Sequence, residues 1–85
     1  MAEVIVYSAD WCGDCVRAKN FLREHNIPFE ERNIMMDARL AEEVVQYNIE
    51  AGLGPKRRIP IILHKGNILS EPSNDELAEE FGIRL

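Results

Sequence analysis

The stretch Val4-Ile5-Val6-Tyr7-Ser8 constrains this chain more than any other. It is a continuous β-rich run with no polar residue until its end, the pattern of a strand covered on both faces. Such a strand needs neighbours beside it and other elements above and below it. The chain has 85 residues, well short of the ~150 taken as a prior for one domain. A single domain over residues 1–85 is therefore expected. Hydrophobic residues make up 46% and charged residues 29%, an ordinary globular mixture that can fill a core around that strand.

The rest of the chain is punctuated so as to build the sheet. Over residues 12–26 the pattern turns helical: Cys15, Ala18, Leu22 and His25 fall on one stripe, Phe21 widens it, and Arg17, Lys19, Arg23 and Glu24 face water. Asn26-Ile27-Pro28 ends this helix, since Pro28 restricts the residue before it. Residues 29–34 alternate large and polar side chains and read as a second strand. Asp37 is placed to cap a helix running to about Tyr47, with Leu40, Val44 and Tyr47 on one face. A loop over residues 50–58 carries Gly52, Gly54 and Pro55 and closes on the basic triplet Lys56-Arg57-Arg58. Residues 60–63 and 67–69 read as a hairpin turning at His64-Lys65-Gly66. Ser73-Asn74-Asp75-Glu76 has the form of a capping box, and the helix it opens runs through Phe81 to a stop at Gly82. Tyr7, Phe21, Tyr47 and Phe81 read as core. The order βαβαββα predicts an α/β fold: a four-stranded mixed sheet with helices on both faces, the first βαβ unit parallel and right-handed, the hairpin antiparallel.

Fifteen acidic residues against ten basic ones give a formal net charge of −5. An acidic surface repels phosphate backbones and anionic lipid, so no nucleic acid and no membrane is expected among the partners. No segment approaches ~18 consecutive apolar residues. The opening residues Met1-Ala2-Glu3 carry no basic leader, and the expected location is cytoplasmic.

Both cysteines of the chain, Cys12 and Cys15, lie in one C-x-x-C. So tight a pair closes almost no loop and is a poor staple, and in a reducing compartment chemistry is the better explanation. Cys12 falls where the first strand has ended and the first helix begins. The unpaired N–H groups and positive partial charge of a helix N-terminus favour thiolate over thiol. Cys15 lies one turn further in, on the apolar stripe, and should be less accessible than an open Cys12. Asp14 opposes a second negative charge beside it, and Arg17 or the basic triplet could offset Asp14. A zinc site would recruit His25 and His64, whose spacing fits no finger or knuckle, so no metal is assigned.

Val4-Ile5-Val6-Tyr7-Ser8 followed by Trp11-Cys12-Gly13-Asp14-Cys15, with Ile59-Pro60 downstream, resembles the glutaredoxin branch of the thioredoxin superfamily. Trp11-Cys12-Gly13, Arg58-Ile59-Pro60 and Glu71-Pro72-Ser73-Asn74-Asp75-Glu76-Leu77 are most similar to mycoredoxin-type proteins. The resemblance implies a thioredoxin-like fold and a thiol–disulfide oxidoreductase that reduces protein or small-thiol mixed disulfides through Cys12, with Cys15 as resolving or spectator sulfur. It implies no tightly bound cofactor, a co-substrate such as glutathione or mycothiol, disulfide-containing client proteins as partners, and a monomer. Two departures from glutathione-using members bear on the small thiol: Ala9 stands where they have a basic residue, and Ser70-Glu71-Pro72 where they have Gly-Gly.

The resemblance also implies supporting roles. Pro60 would follow a cis peptide bond and face Cys12, turning Ile59 so that its backbone can pair with an extended substrate; the alternative is a proline starting an edge strand. Trp11 is either an apolar rim beside the sulfur or a ring packed on its own loop. Arg58 either holds a carboxylate of the small thiol or belongs to a solvated loop. Asp75 either binds its amine or only stabilises a helix N-terminus. Three other readings stay open: a dithiol donor reduced by a flavoprotein reductase, paired chains binding zinc or an iron–sulfur cluster, and a module whose docking depends on the oxidation of Cys12 and Cys15.

Overall fold

The computed structural model describes residues 3–85, so Met1 and Ala2, on which part of the leader reading rests, lie outside it. The elements are β1 (Val4–Ser8), α1 (Gly13–Glu24), β2 (Glu30–Asn33), α2 (Ala38–Glu50), β3 (Ile61–His64), β4 (Asn67–Ser70) and α3 (Asn74–Phe81). They form one sheet in the order β2-β1-β3-β4. β1 pairs parallel with β2, and the β1–β3 and β3–β4 pairs are antiparallel.

The two-residue period of a strand sorts the side chains. Val4 and Val6 of β1 and Ile62 of β3 point to one face, where Ala18, Phe21 and Leu22 of α1 and Leu77 and Ala78 of α3 cover them. Ile5 and Tyr7, with Ile61 and Leu63, point to the other face, where Leu40, Val44 and Tyr47 of α2 lie against them. β1 is thus interior and covered on both sides, as its composition requires. Tyr7 and Phe21 are buried as expected, while Tyr47 and Phe81 are only partly so.

The helix ends depart from the sequence reading. α1 stops at Glu24 because Asn26 takes a left-handed conformation (φ 56°), with the Ile27 N–H donating to Leu22 O at 2.8 Å and the Asn26 N–H to Arg23 O at 3.1 Å. This is a Schellman closure, so Asn26 rather than Pro28 ends the helix. α2 runs a turn past Tyr47 to a similar closure at Gly52 (φ 83°), with the Leu53 N–H on Asn48 O. The Ser73–Glu76 capping box and the Gly82 stop are both present at α3. In the hairpin the turn is the pair Lys65-Gly66, both with positive φ as a type I′ turn needs. His64 therefore belongs to β3, opposite Asn67, and its ring bonds Glu80 at 2.7 Å. Among the described residues no helix is long and apolar enough to cross a membrane.

Candidate active site

The two sulfurs sit where β1 hands over to α1. The chain turns through Ala9, Asp10 and Trp11, and the Cys12 N–H donates to Ala9 O at 3.2 Å. Cys12 is the N-cap of α1, with extended backbone, and its Sγ accepts the Cys15 N–H at 3.1 Å. Here a sulfur does what a Ser or Asp oxygen does at other helix starts: it takes one of the orphan donors at the positive end of the helix. From the other side the Cys12 thiol is directed at the Ile59 carbonyl, 3.9 Å away.

Cys12 is 8% exposed and Cys15 is fully buried. The ranking is the one the stripe predicts, but Cys12 is more covered than the open sulfur expected from the sequence; Ile59 and Ala9 pack into the same cluster. Burial pushes the Cys15 thiol up to about 12, the hydrogen bond with Cys12 adds to this, and a backbone hydrogen bond with Ala9 pulls the other way. Burial at Cys15 therefore favours the neutral thiol. Both thiols are free.

The Ile59–Pro60 peptide is cis. Pro60 does not start an edge strand: it is buried, and β3 begins after it in the interior of the sheet. Trp11 is 70% exposed, which removes the reading of a ring packed on its own loop. Arg58 is not a free cation of a solvated loop, because its guanidinium pairs with Glu71 at 3.1 Å. Lys56 and Arg57 are exposed. Asp75 is exposed in the first turn of α3. Asp14 has Arg17 at 3.6 Å. Cys12, Cys15 and Ile59 thus share one cluster, with Pro60 next along the chain from Ile59 and the exposed Trp11 next to Cys12, while Arg58 is engaged by Glu71.

Two residues make contacts that the sequence reading did not assign to them. Arg17, expected to face water, donates to Asn74 Oδ1 at 2.8 Å and to Pro72 O at 3.0 Å, tying the first turns of α1 and α3 together. With Gly13, Val16 and Asn74 it lines a groove of about 400 Å³ that starts beside Cys12. Asn48 is fully buried in α2 and bonds the loop that ends in Ile59. Its signal was available: it lies one turn after Val44, a polar residue on an apolar stripe. Among the described residues no three His, Cys, Asp or Glu gather as metal ligands.

Residues 4–69 match the glutaredoxin family model. The chain belongs to the glutaredoxin family. A Mycobacterium tuberculosis protein named as a glutaredoxin, Rv3198A, is 32% identical over 77 residues, covering 89% of this chain and 86% of the relative. Among solved structures, a glutaredoxin from Archaeoglobus fulgidus superposes with a TM-score of 0.74 at 21% identity over 93% of this chain and 85% of that one. A buckwheat glutaredoxin–glutathione complex gives 0.72 at 16% identity over 94% and 68%. These likenesses establish a thioredoxin-like fold. Thiol–disulfide oxidoreduction is the chemistry of the family, and Cys12-Gly13-Asp14-Cys15 supplies its C-x-x-C.

Proposed function

We propose that this glutaredoxin reduces mixed disulfides between client proteins and a small thiol, such as glutathione or mycothiol, with Cys12 as the attacking sulfur. The asymmetry of the pair carries this reading: Cys12 holds the N-cap at the edge of the site, and Cys15 lies buried behind it with its thiol pushed up to about 12. The Cys12 thiolate attacks the small-thiol sulfur. The disulfide breaks toward the client, whose thiolate leaves and takes a proton from solvent. The thiolate of a second small thiol then attacks the adduct on Cys12, releasing the oxidised small thiol and regenerating the Cys12 thiolate. One free small thiol is consumed per turnover, and the disulfide passes from the client to the oxidised small thiol. Trp11, Ile59 and Pro60 flank the entering disulfide. Arg58 meets a carboxylate of the small thiol in exchange for Glu71, and Asp75 meets its amine. The setting is cytoplasmic, and the chain acts as a monomer.

One observation favours a second route. Cys15 lies one turn after Cys12, with its backbone N–H on Cys12 Sγ at 3.1 Å, and its thiol would resolve an adduct on Cys12. The chain would then form a Cys12–Cys15 disulfide and need a dithiol reductant, for instance a flavoprotein reductase.

Turnover of a glutathionylated or mycothiolated protein by Cys12→Ser and Cys15→Ser variants tests both. Cys12→Ser falls to background, and Cys15→Ser stays within about threefold of the parent if the small thiol clears the adduct. An active Cys12→Ser sinks the proposal. An inactive Cys15→Ser with an active parent assigns the dithiol route.

A further inference from the structure

The loop that faces Cys12 has no regular structure of its own. Residues 51–60 lie between α2 and β3, and Gly52 and Gly54 both have φ of 83°. Something outside the loop has to fix where its last carbonyls point. Asn48 is the one fully buried side-chain amide of α2. Its Nδ2 donates to Lys56 O at 2.9 Å, to Arg58 O at 3.1 Å and to Val44 O of its own helix at 3.1 Å, while its Oδ1 accepts the Ser70 hydroxyl at 2.6 Å. One side chain thus joins α2, the loop and β4. The clamp closes on the far side: the Glu71 N–H donates to Pro60 O at 2.9 Å, and Arg58 pairs with Glu71 at 3.1 Å.

The carbonyl next along the chain from Arg58 is that of Ile59, the acceptor facing Cys12 Sγ at 3.9 Å. We infer that Asn48 is a positioning residue: by holding the Lys56 and Arg58 carbonyls from inside the core, it sets the aim of the Ile59 backbone against Cys12, and with it the alignment of an extended disulfide substrate. This inference rests on the proposed role of Cys12 and Ile59. Its physical basis is that hydrogen bonds are directional where carbon packing is not, and that small errors of alignment are costly at a reacting atom. A leucine of the same branched shape would keep Asn48's space filled, but would leave two loop carbonyls and the Ser70 hydroxyl without their partner.

The test compares two reactions of Cys12 in wild type, Asn48→Leu and Ser70→Ala. One is reduction of an extended peptide mixed disulfide, which needs the Ile59 backbone. The other is alkylation by iodoacetamide, which does not. In folded Asn48→Leu, kcat/KM for the peptide falls by about tenfold, mostly through KM, while the alkylation rate stays within about twofold. Ser70→Ala, which loosens only the Oδ1 side, shifts KM in the same direction by about twofold to threefold and serves if Asn48→Leu does not fold. Asn48→Gln, which keeps an amide donor there, falls between Leu and wild type. An unchanged KM in a folded variant overturns the inference, as does a fall in alkylation parallel to the fall in reduction, the mark of a merely structural role. Wild type that reduces no mixed disulfide at all overturns instead the proposed function on which the inference stands.

Discussion

The two faces of the sheet are made of different materials. Under α1 and α3, Val4, Val6, Ile62, Phe21, Leu22 and Leu77 pack carbon on carbon. Under α2, the cluster that includes both cysteines and Ile59 is bordered by directional bonds. The Tyr7 hydroxyl donates to Glu43 at 2.6 Å and accepts from Arg32 at 2.9 Å, and Asn48 holds the loop. Among the described residues no buried side-chain nitrogen or oxygen lacks a partner, so the polar face is fully connected. The difference teaches a division of labour. Non-directional packing holds the domain together, and directional bonds place the atoms next to the sulfur.

Leu22→Ala on the carbon face should have the largest effect on stability. Leu22 is fully buried, and its truncation costs about 2–5 kcal/mol in transfer and cavity terms, read by chemical denaturation. Turnover per folded molecule stays at the parent value; a fall in turnover with the fold intact would break the comparison. Tyr7→Phe on the α2 face has a smaller effect. It leaves Glu43 and Arg32 without their shared partner and costs about 1–2 kcal/mol. Burial and then the Glu43 hydrogen bond hold the Tyr7 phenol above the ordinary tyrosine range, so its absorbance titrates at higher pH than that of an exposed tyrosine. A phenol titrating at the usual value would show that this face is looser than described.

Glu31 sharpens the comparison at the sheet edge and carries the smallest effect. The Lys19 ammonium at 2.6 Å, then the Ser8 hydroxyl at 2.7 Å, hold its carboxyl below the usual 4.5. A carboxyl with a depressed folded pKa adds stability that is fully present above the unfolded value and is lost as pH falls through the folded one. Glu31 is 35% exposed, so solvent screening limits the gain to about 0.2–1 kcal/mol. The gap in Tm between parent and Glu31→Gln is therefore open at neutral pH and closes as pH falls below 4.5 and through the lower folded value. A gap that persists in acid would mean that packing, not charge, is responsible.

Local chemistry made much of this molecule legible in the sequence. The capping box at Ser73, the stop at Gly82, the β1 run and the C-x-x-C each depend on neighbours within a few residues, and each lies where expected. The cis peptide before Pro60 came from family resemblance rather than from spacing. What stayed hidden depends on partners distant in the chain. Arg58 reads as a loop cation until Glu71, thirteen residues on, is brought beside it. Arg17 reads as solvated until Asn74, 57 residues on, takes its guanidinium. Within Asn26-Ile27-Pro28 the helix is closed by Asn26 in the left-handed region, before the restriction imposed by the proline is reached. Cys12 reads as an open sulfur because periodicity says which residues share a stripe and not that Ile59, 47 residues away, packs against it.

The roles of the two sulfurs are tested most directly by treating the reduced protein with limiting iodoacetamide at about pH 8 and locating the label by mass spectrometry. Label on Cys12 with Cys15 untouched is the predicted result, since a thiol pushed up to about 12 is almost wholly protonated there. Label on Cys15 at a rate equal to or above that of Cys12 would contradict it.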